Sequence, residues 1–299
     1  MVRVTGSKKL EMQVLHEIFS RDDAEKRIAP YKKKAFGMFH SLVNTFNKNT
    51  YEILVGAHAK RFEPFWYIEG ESLLQYQRRT RYSVAVKPEV RAVHINGQAF
   101  DVRADSPLLD IEAEDHCFES FTKSIIKNAI GGSDKKLDTY RKAPAHKISS
   151  LKDLQSQADT IVLEPTVKIS ALLRDLIKDL IKPIEADKVT EERVNIKTIS
   201  LYFRPVHVFE LTHGSKTATL EVNAITGEVS TSSPLKNQIS QRLRSEQTWF
   251  DIGTEIASAV VPGAGVGVIL SKHVKDRFDQ KKQIAAMKSS QAAKQKIDN

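Results

Sequence analysis

Two short segments constrain the fold more than anything else in the chain. Arg61-Phe62-Glu63-Pro64-Phe65-Trp66-Tyr67-Ile68-Glu69-Gly70 and Leu201-Tyr202-Phe203-Arg204-Pro205-Val206-His207-Val208-Phe209-Glu210 are both dense in aromatic and branched residues. In each, a Phe stands two positions before a Pro and a Glu stands five positions after it. Such side chains suit a pleated, half-buried surface. A proline removes a ladder donor and places its segment at a strand edge or entry. A shared opening in two places is the pattern that internal duplication leaves.

The expected fold class is therefore α+β: two antiparallel strand-rich units, candidates for a duplication, with intervening and terminal helices. In the first unit, Tyr51, Ile53, Val55, Ala57 and Ala59 alternate with polar positions, a period-two strand signal. Leu73–Gln77 and Tyr82–Val86 add further strands. Val90–Ile95 and Gln98–Val102 flank Asn96-Gly97, which suits the positive dihedrals of a type I′ hairpin. In the second unit, Val194–Phe203 and Thr217–Val222 are strand-like, with a hairpin at Gly214 and a turn at Thr226-Gly227.

Helical spacing is read over Leu10–Phe19, through Leu10, Val14, Leu15 and Ile18. It is also read over Tyr31–Phe46, over 117–130 (Phe118, Phe121, Ile125, Ile126, Ala129) up to Gly131-Gly132, and over Ile169–Ile184, where Pro183 ends the run. Asp22 and Asp23 after Ser20 mark another helix start. The resulting division is a helical region 1–50, a strand-rich unit with a following helix 51–130, and a Gly/Ser/Lys-rich linker 131–150. A helix with the second strand-rich unit follows over 151–235, then a C-terminal apolar hairpin and basic tail over 236–299.

Net charge is +9, but it is unevenly placed. Residues 1–60 and 272–299 each carry a local charge of +5, whereas 101–120 carries −6. Such polarity steers anionic partners or serves solubility. The candidate anion-binding residues are Lys32, Lys33, Lys34, Arg78, Arg79, Arg81, Lys281 and Lys282, with Tyr76 and Tyr82 beside them to stack on bases. Within 249–270, Trp249, Phe250, Ile256, Val260, Val266, Ile269 and Leu270 form an apolar stretch broken by Pro262. It reads as two short helices about a Gly/Pro hinge, serving as a core hairpin, a docking surface or, less readily, a broken membrane segment.

Catalytic signals are weak. Cys117, the single cysteine, excludes an internal disulfide and an intrachain thiolate cluster. It adjoins His116, but neighbouring side chains on a strand point to opposite faces. None of the nine histidines forms an HExxH pattern. Gly263, Gly265 and Gly267 lack the Lys–Ser/Thr pair of a phosphate loop. Glu69 and Glu210 pair formally as two carboxylates, but their like places in two strands point to a register requirement. No cofactor or metal is expected. The N-terminus lacks a secretory apolar stretch and no run reaches 18 apolar residues, which fits a cytoplasmic protein.

The segment Glu221-Val222-Asn223-Ala224-Ile225-Thr226-Gly227-Glu228-Val229 resembles the strand–hairpin of PepSY-type domains, in which a strand leads into an Asp/Asn-x-x-Thr-Gly-Glu-Val turn. Asn223 replaces the commoner Asp. The resemblance covers about a tenth of the chain and implies a sheet module with a regulatory role; it assigns no catalytic residue. The expected function is a non-enzymatic adaptor or regulatory scaffold that docks a protein partner through its C-terminal region, or associates with itself. The alternative is a nucleic-acid-binding accessory protein, with peripheral membrane contact a weaker third.

Overall fold

The computed structural model describes residues 3–6, 10–36, 52–103, 107–155 and 159–231. Of these, 56% lie in strands and 18% in helices, so the chain is more β-rich than the expected α+β class. Early elements are β1 (Arg3–Gly6), β2 (Glu11–Leu15), α1 (Arg21–Ile28) and the helical turn α2 (Lys32–Ala35). Next come β3 (Leu54–Ala85), the hairpin β4 (Ala92–Ile95) and β5 (Gln98–Asp101), and β6 (Leu108–Asn128). Short elements α3 (Leu137–Arg141), β7 (Ala145–Ile148), α4 (Lys152–Gln155) and β8 (Thr160–Val162) lead to α5 (Ile169–Leu180). The long β9 (Lys188–His213), β10 (Lys216–Asn223) and β11 (Val229–Thr231) complete the described chain.

All strands except β4 and β5 belong to one open mixed sheet. Its spine is the antiparallel pair β3–β9, running from Leu54↔Thr212 to Gln77↔Lys188. The far side of β3 carries β8, parallel, then β6, antiparallel. The far side of β9 carries β1 and β2, both parallel, then β10, antiparallel. One face of the spine is covered by α5, whose Ile169, Leu172, Leu173, Leu176, Ile177 and Leu180 are all buried. They pack with Trp66, Ile68, Val194, Ile196 and Leu201. Further along the same face, Ala24 and Ile28 of α1 cover Phe209, Leu211, Leu220 and Val222. The α1 helix starts where Asp22 and Asp23 mark it, but its cap is Ser20, which accepts from the Asp23 amide at 3.3 Å, and the two acids lie in its first turn.

The two Phe-x-Pro segments meet as partners. Phe62 pairs with Pro205, Glu63 with Arg204, and Pro64 with Phe203. Each proline lies where its outer neighbour changes, from β8 to β6 beside Pro64 and from β2 to β10 beside Pro205. Each carbonyl points outward there, accepting from Ala129 and Ala224 respectively, both at 3.1 Å. In an antiparallel strand the N–H points to the same side as the C=O, so each missing donor falls at a seam where no ladder partner needs it. The surroundings match as well. Thr166 and Val167 donate to the Ala129 carbonyl, and Ile18 and Phe19 to that of Ala224. The Trp66 indole then bonds the Val167 carbonyl at 2.9 Å, and His207 Nε2 the Phe19 carbonyl at 3.0 Å.

Three expectations are corrected. Residues 10–19 are not a helix: Glu11–Val14 pair in parallel with Ser200–Phe203, and Ile18, which a helical stripe would bury, is 60% exposed. Residues 117–130 are not a helix either, because they continue β6, which pairs with β3 without a register break from Leu108 to Asn128. Gly131 and Gly132, at positive φ, still end the element as expected. The separate strands read between 51 and 86 are one strand, as are those between 194 and 210. Bulges at Val55/His58, Glu69/Gly70 and Gln75/Tyr76 absorb the breaks in pattern. The α5 helix, the Asn96–Gly97 hairpin and the Thr226–Gly227 turn are as predicted. Of the expected helix at 31–46, Lys32–Ala35 is helical and residues from 37 on lie outside the described part. The stretch 131–150 contains α3 and β7, the latter paired with β2.

Candidate functional site

Past Gln77 the sheet narrows to a two-stranded ribbon. Asp187 makes the last link to β9, its amide donating to the Gln77 carbonyl at 2.9 Å and its carboxylate accepting from the Arg79 amide at 2.6 Å. Beyond this point β3 keeps only β6 as a strand partner among the described residues, up to Ala85↔Leu108. Alternation gives the ribbon two different faces. Arg79, Arg81 and Ser83 share one face with Glu114, Glu112 and Asp110; Arg78, Thr80, Tyr82 and Val84 share the other with Asp115, Ala113, Ile111 and Leu109.

The charged face is a cross-strand ladder. Arg81 meets Glu112 at 3.2 Å, the Ser83 hydroxyl donates to Asp110 at 2.6 Å, and Arg103 forms an ion pair with Asp110. On the opposite face Asp115 accepts from Arg78 at 3.1 Å and from the Tyr82 hydroxyl at 2.6 Å. Those two hydrogen bonds hold its carboxyl below the usual carboxylate range. Yet Tyr82 remains 51% exposed and Val84 46%.

These contacts bear on the anion-binding residues. Arg78 and Arg81 are engaged by acids of the −6 segment, and Arg79 stands opposite Glu114. Lys32, Lys33 and Lys34 sit at the other end of the sheet, where Ala35 and Phe36 pack near Val55. From Leu54 to Arg78 the strand advances roughly 80 Å, so the two basic groups do not form one surface. Lys281 and Lys282 lie outside the described residues, as do Trp249, Phe250, Ile256, Val260, Val266, Ile269 and Leu270.

Two buried clusters have the residue types of active sites. On the face opposite α5, Arg61 bridges Glu63 and Glu221, with Nη2 at 2.8 Å from Glu221 Oε2, while Arg204 pairs with Glu63. Burial works against the Glu63 charge, but the two guanidiniums outweigh it and hold its pKa below normal. Arg61 stays charged for the converse reason: burial opposes it and Glu221 and Glu63 prevail. Tyr140 lies under Arg204, 4.9 Å from ring centre to guanidinium, and its hydroxyl accepts from Asn223 Nδ2 at 2.9 Å. Each of these charges has an opposite neighbour, the pairing without which a buried charge is strongly destabilising.

The second cluster lies under the link into α1. His58 Nε2 and His207 Nδ1 are 3.1 Å apart, and His207 Nε2 donates to the Phe19 carbonyl. His207 Nδ1 is then the acceptor and His58 the donor. Burial lowers both pKa values, that of His58 to about 4 with further repulsion from His207, Arg21 and Lys60. Glu17 is 3.7 Å from His207 and pairs with Lys60 at 2.9 Å.

The remaining candidates stay apart. Glu69 and Glu210 lie six positions beyond the Glu63–Arg204 pair in opposite directions, roughly 40 Å from each other, against the 10 Å or less of a glycosidase pair. Cys117 is unlinked and half-buried, on the face away from His116. No group of three or more His, Cys, Asp or Glu suited to a metal occurs among the described residues, and no helix among them is long and apolar enough to cross a membrane. Tyr82 is among the residues read from the sequence, as a stacking group beside the arginines; the exposed Val84 and the buried Arg61–Glu63–Arg204–Glu221 network escape sequence reasoning. The signal for the ribbon is the run Arg78–Arg81 set against the acidic 110–115, which complement each other once the two are paired strands. Comparison with family models, with curated proteins and with solved structures found no match to this chain.

Proposed function

We propose that the protein is a non-enzymatic docking scaffold whose ribbon, 78–85 with 108–115, receives a protein partner. The observation that carries this reading is the ribbon itself: Arg78 and Arg81 are met by its own acids, while Tyr82 and Val84 are about half exposed. Exposed aromatic and aliphatic groups beside a satisfied charge pair suit a protein surface, where the buried centre supplies affinity and the rim specificity. Phosphate binding instead needs unneutralised cations. On this reading the scaffold is a duplicated β-α-β-β unit, supported by the paired Phe-x-Pro segments and their matching Ala129 and Ala224 contacts. The PepSY-like turn after β10 belongs to this sheet module, residues 236–299 extend the docking surface, and the compartment is cytoplasmic.

The test is recovery of complexes from native cells with three chains: the full chain, one carrying Tyr82→Ala and Val84→Asp, and one ending at residue 248. The full chain is expected to recover one stoichiometric protein that survives nuclease, and the ribbon variant to lose it. A complex that nuclease dissolves, or one indifferent to the ribbon substitutions, overturns the reading. Loss on truncation alone moves the docking site to the C-terminal region.

A further inference from the structure

We infer that the outer edge of β6 pairs with the same edge of a second copy of this chain, the strands running antiparallel with Phe118 at the two-fold axis. This goes beyond the docking role of the ribbon and does not depend on it. An edge strand presents a row of N–H and C=O groups to any strand that fits, and proteins blunt such edges with prolines, bulges, short strands, charged side chains or a covering element. β6 has no proline or bulge and is not short, and its charges are sorted by sign between its two halves. It spans 21 residues without Pro or Gly and follows β3 with no register shift, and its other side carries no strand among the described residues.

The occupant follows from the strand's own sequence. The midpoint of Leu108–Asn128 is Phe118, so full antiparallel overlap sets Phe118 against its counterpart. Phe118 is 62% exposed, on the face away from α5. One half of β6 holds Asp110, Glu112, Glu114 and Asp115; the other holds Lys123, Lys127, Ser120, Thr122 and Ser124, with Glu119 its one acid. In this register Glu112 lies against Ser124, Glu114 against Thr122 and Ile111 against Ile125, while Asp115 is diagonal to Lys123, within reach of a long side chain. Parallel pairing would set acid on acid. A second copy therefore complements this edge in one direction only, and the nine-stranded sheet continues across the axis.

The experiment uses the full chain and measures its mass in solution across a concentration series, with disulfide trapping beside it. Wild type is expected to reach the mass of two chains, and Phe118→Lys to weaken association by about tenfold or more, the loss of a central aromatic anchor, with an unchanged circular-dichroism spectrum. In a Cys117→Ser background, Phe118→Cys is expected to oxidise to a dimer, since directly opposed Cα atoms lie about 5 Å apart. Thr122→Cys in that background is expected not to, being roughly 26 Å from its counterpart. A monomeric wild type, a dimer indifferent to Phe118→Lys, or trapping through Thr122 and not Phe118 overturns the inference. A monomer that still captures a partner through the ribbon refutes this pairing alone; a dimer that captures none refutes the docking role alone.

Discussion

Trp66 and His207 hold corresponding places: each sits two positions beyond its strand's proline and ties a helix-leading carbonyl to the sheet. The two differ in one respect, that an indole N–H does not titrate near neutrality whereas an imidazole does. His207 and His58 can hold one extra proton between them, because a single N–H still bridges the 3.1 Å gap. Two protons would set donor against donor. Both folded pKa values lie below the unfolded value of about 6.5, so the unfolded chain binds protons more readily. The stability these groups contribute is fully present above pH about 6.5 and falls as pH drops toward about 4. Arg21, Lys60, Glu17 and Asp159 face the pair; Lys60 and Arg21 oppose protonation of both rings, Glu17 favours it at His207 and Asp159 at His58. Urea midpoints measured from pH 7.5 to 4.5 should fall with acid in the wild type and fall less in His58→Phe. An equal slope in both would remove the histidines as its source.

At the scale of elements, α5 was legible because six apolar residues at helical spacing all face one sheet, and the Asn96–Gly97 hairpin because only a few residues accept φ of 51° and 83° in succession. β6 was not legible. Phe118, Phe121, Ile125 and Ala129 satisfy a helical stripe, but an unbroken ladder to β3 outweighs local periodicity, and that ladder depends on residues some 40 positions away. The ribbon site was half legible: its arginines stood out, while the acids that answer them appeared only as a charged segment. Gly70 shows how such a long strand tolerates a helix across it. A Cβ there would lie 3.0 Å from Leu180 Cδ1 and 3.1 Å from the Asn195 carbonyl oxygen, beside a bulge. The leucine can shift and the backbone oxygen cannot, so Gly70→Ala should destabilise the fold by about 1–3 kcal/mol, the range of an overpacked core. Equilibrium denaturation checks this, with Gly56→Ala, whose nearest contact is 3.5 Å, as the milder comparison.

The whole molecule depends on strands that cross between its two halves. β2, early in the chain, pairs with β9, and β8, late in the chain, pairs with β3. Each crossing strand also brings its helix: α1 covers β9 and β10, and α5 covers β3. Neither half therefore completes its own core. Residues 151–231 alone would lack β3, and with it Trp66 and Ile68 of the cluster that buries Leu173, Leu176 and Ile177; residues 10–150 alone would leave Ile28 without Phe209 and Leu220. Burying one such side chain contributes roughly 1.5–3 kcal/mol, and the net stability of an ordinary domain is only about 5–15 kcal/mol. Losing several at once exceeds what either half can supply. The described region should accordingly unfold in one cooperative transition. Hydrogen exchange at the Ala129 and Ala224 amides, which bond to Pro64 and Pro205, reads both seams separately. Their protection should collapse at the same denaturant concentration, and exchange at one seam while the other stays protected would show that the halves are independent units.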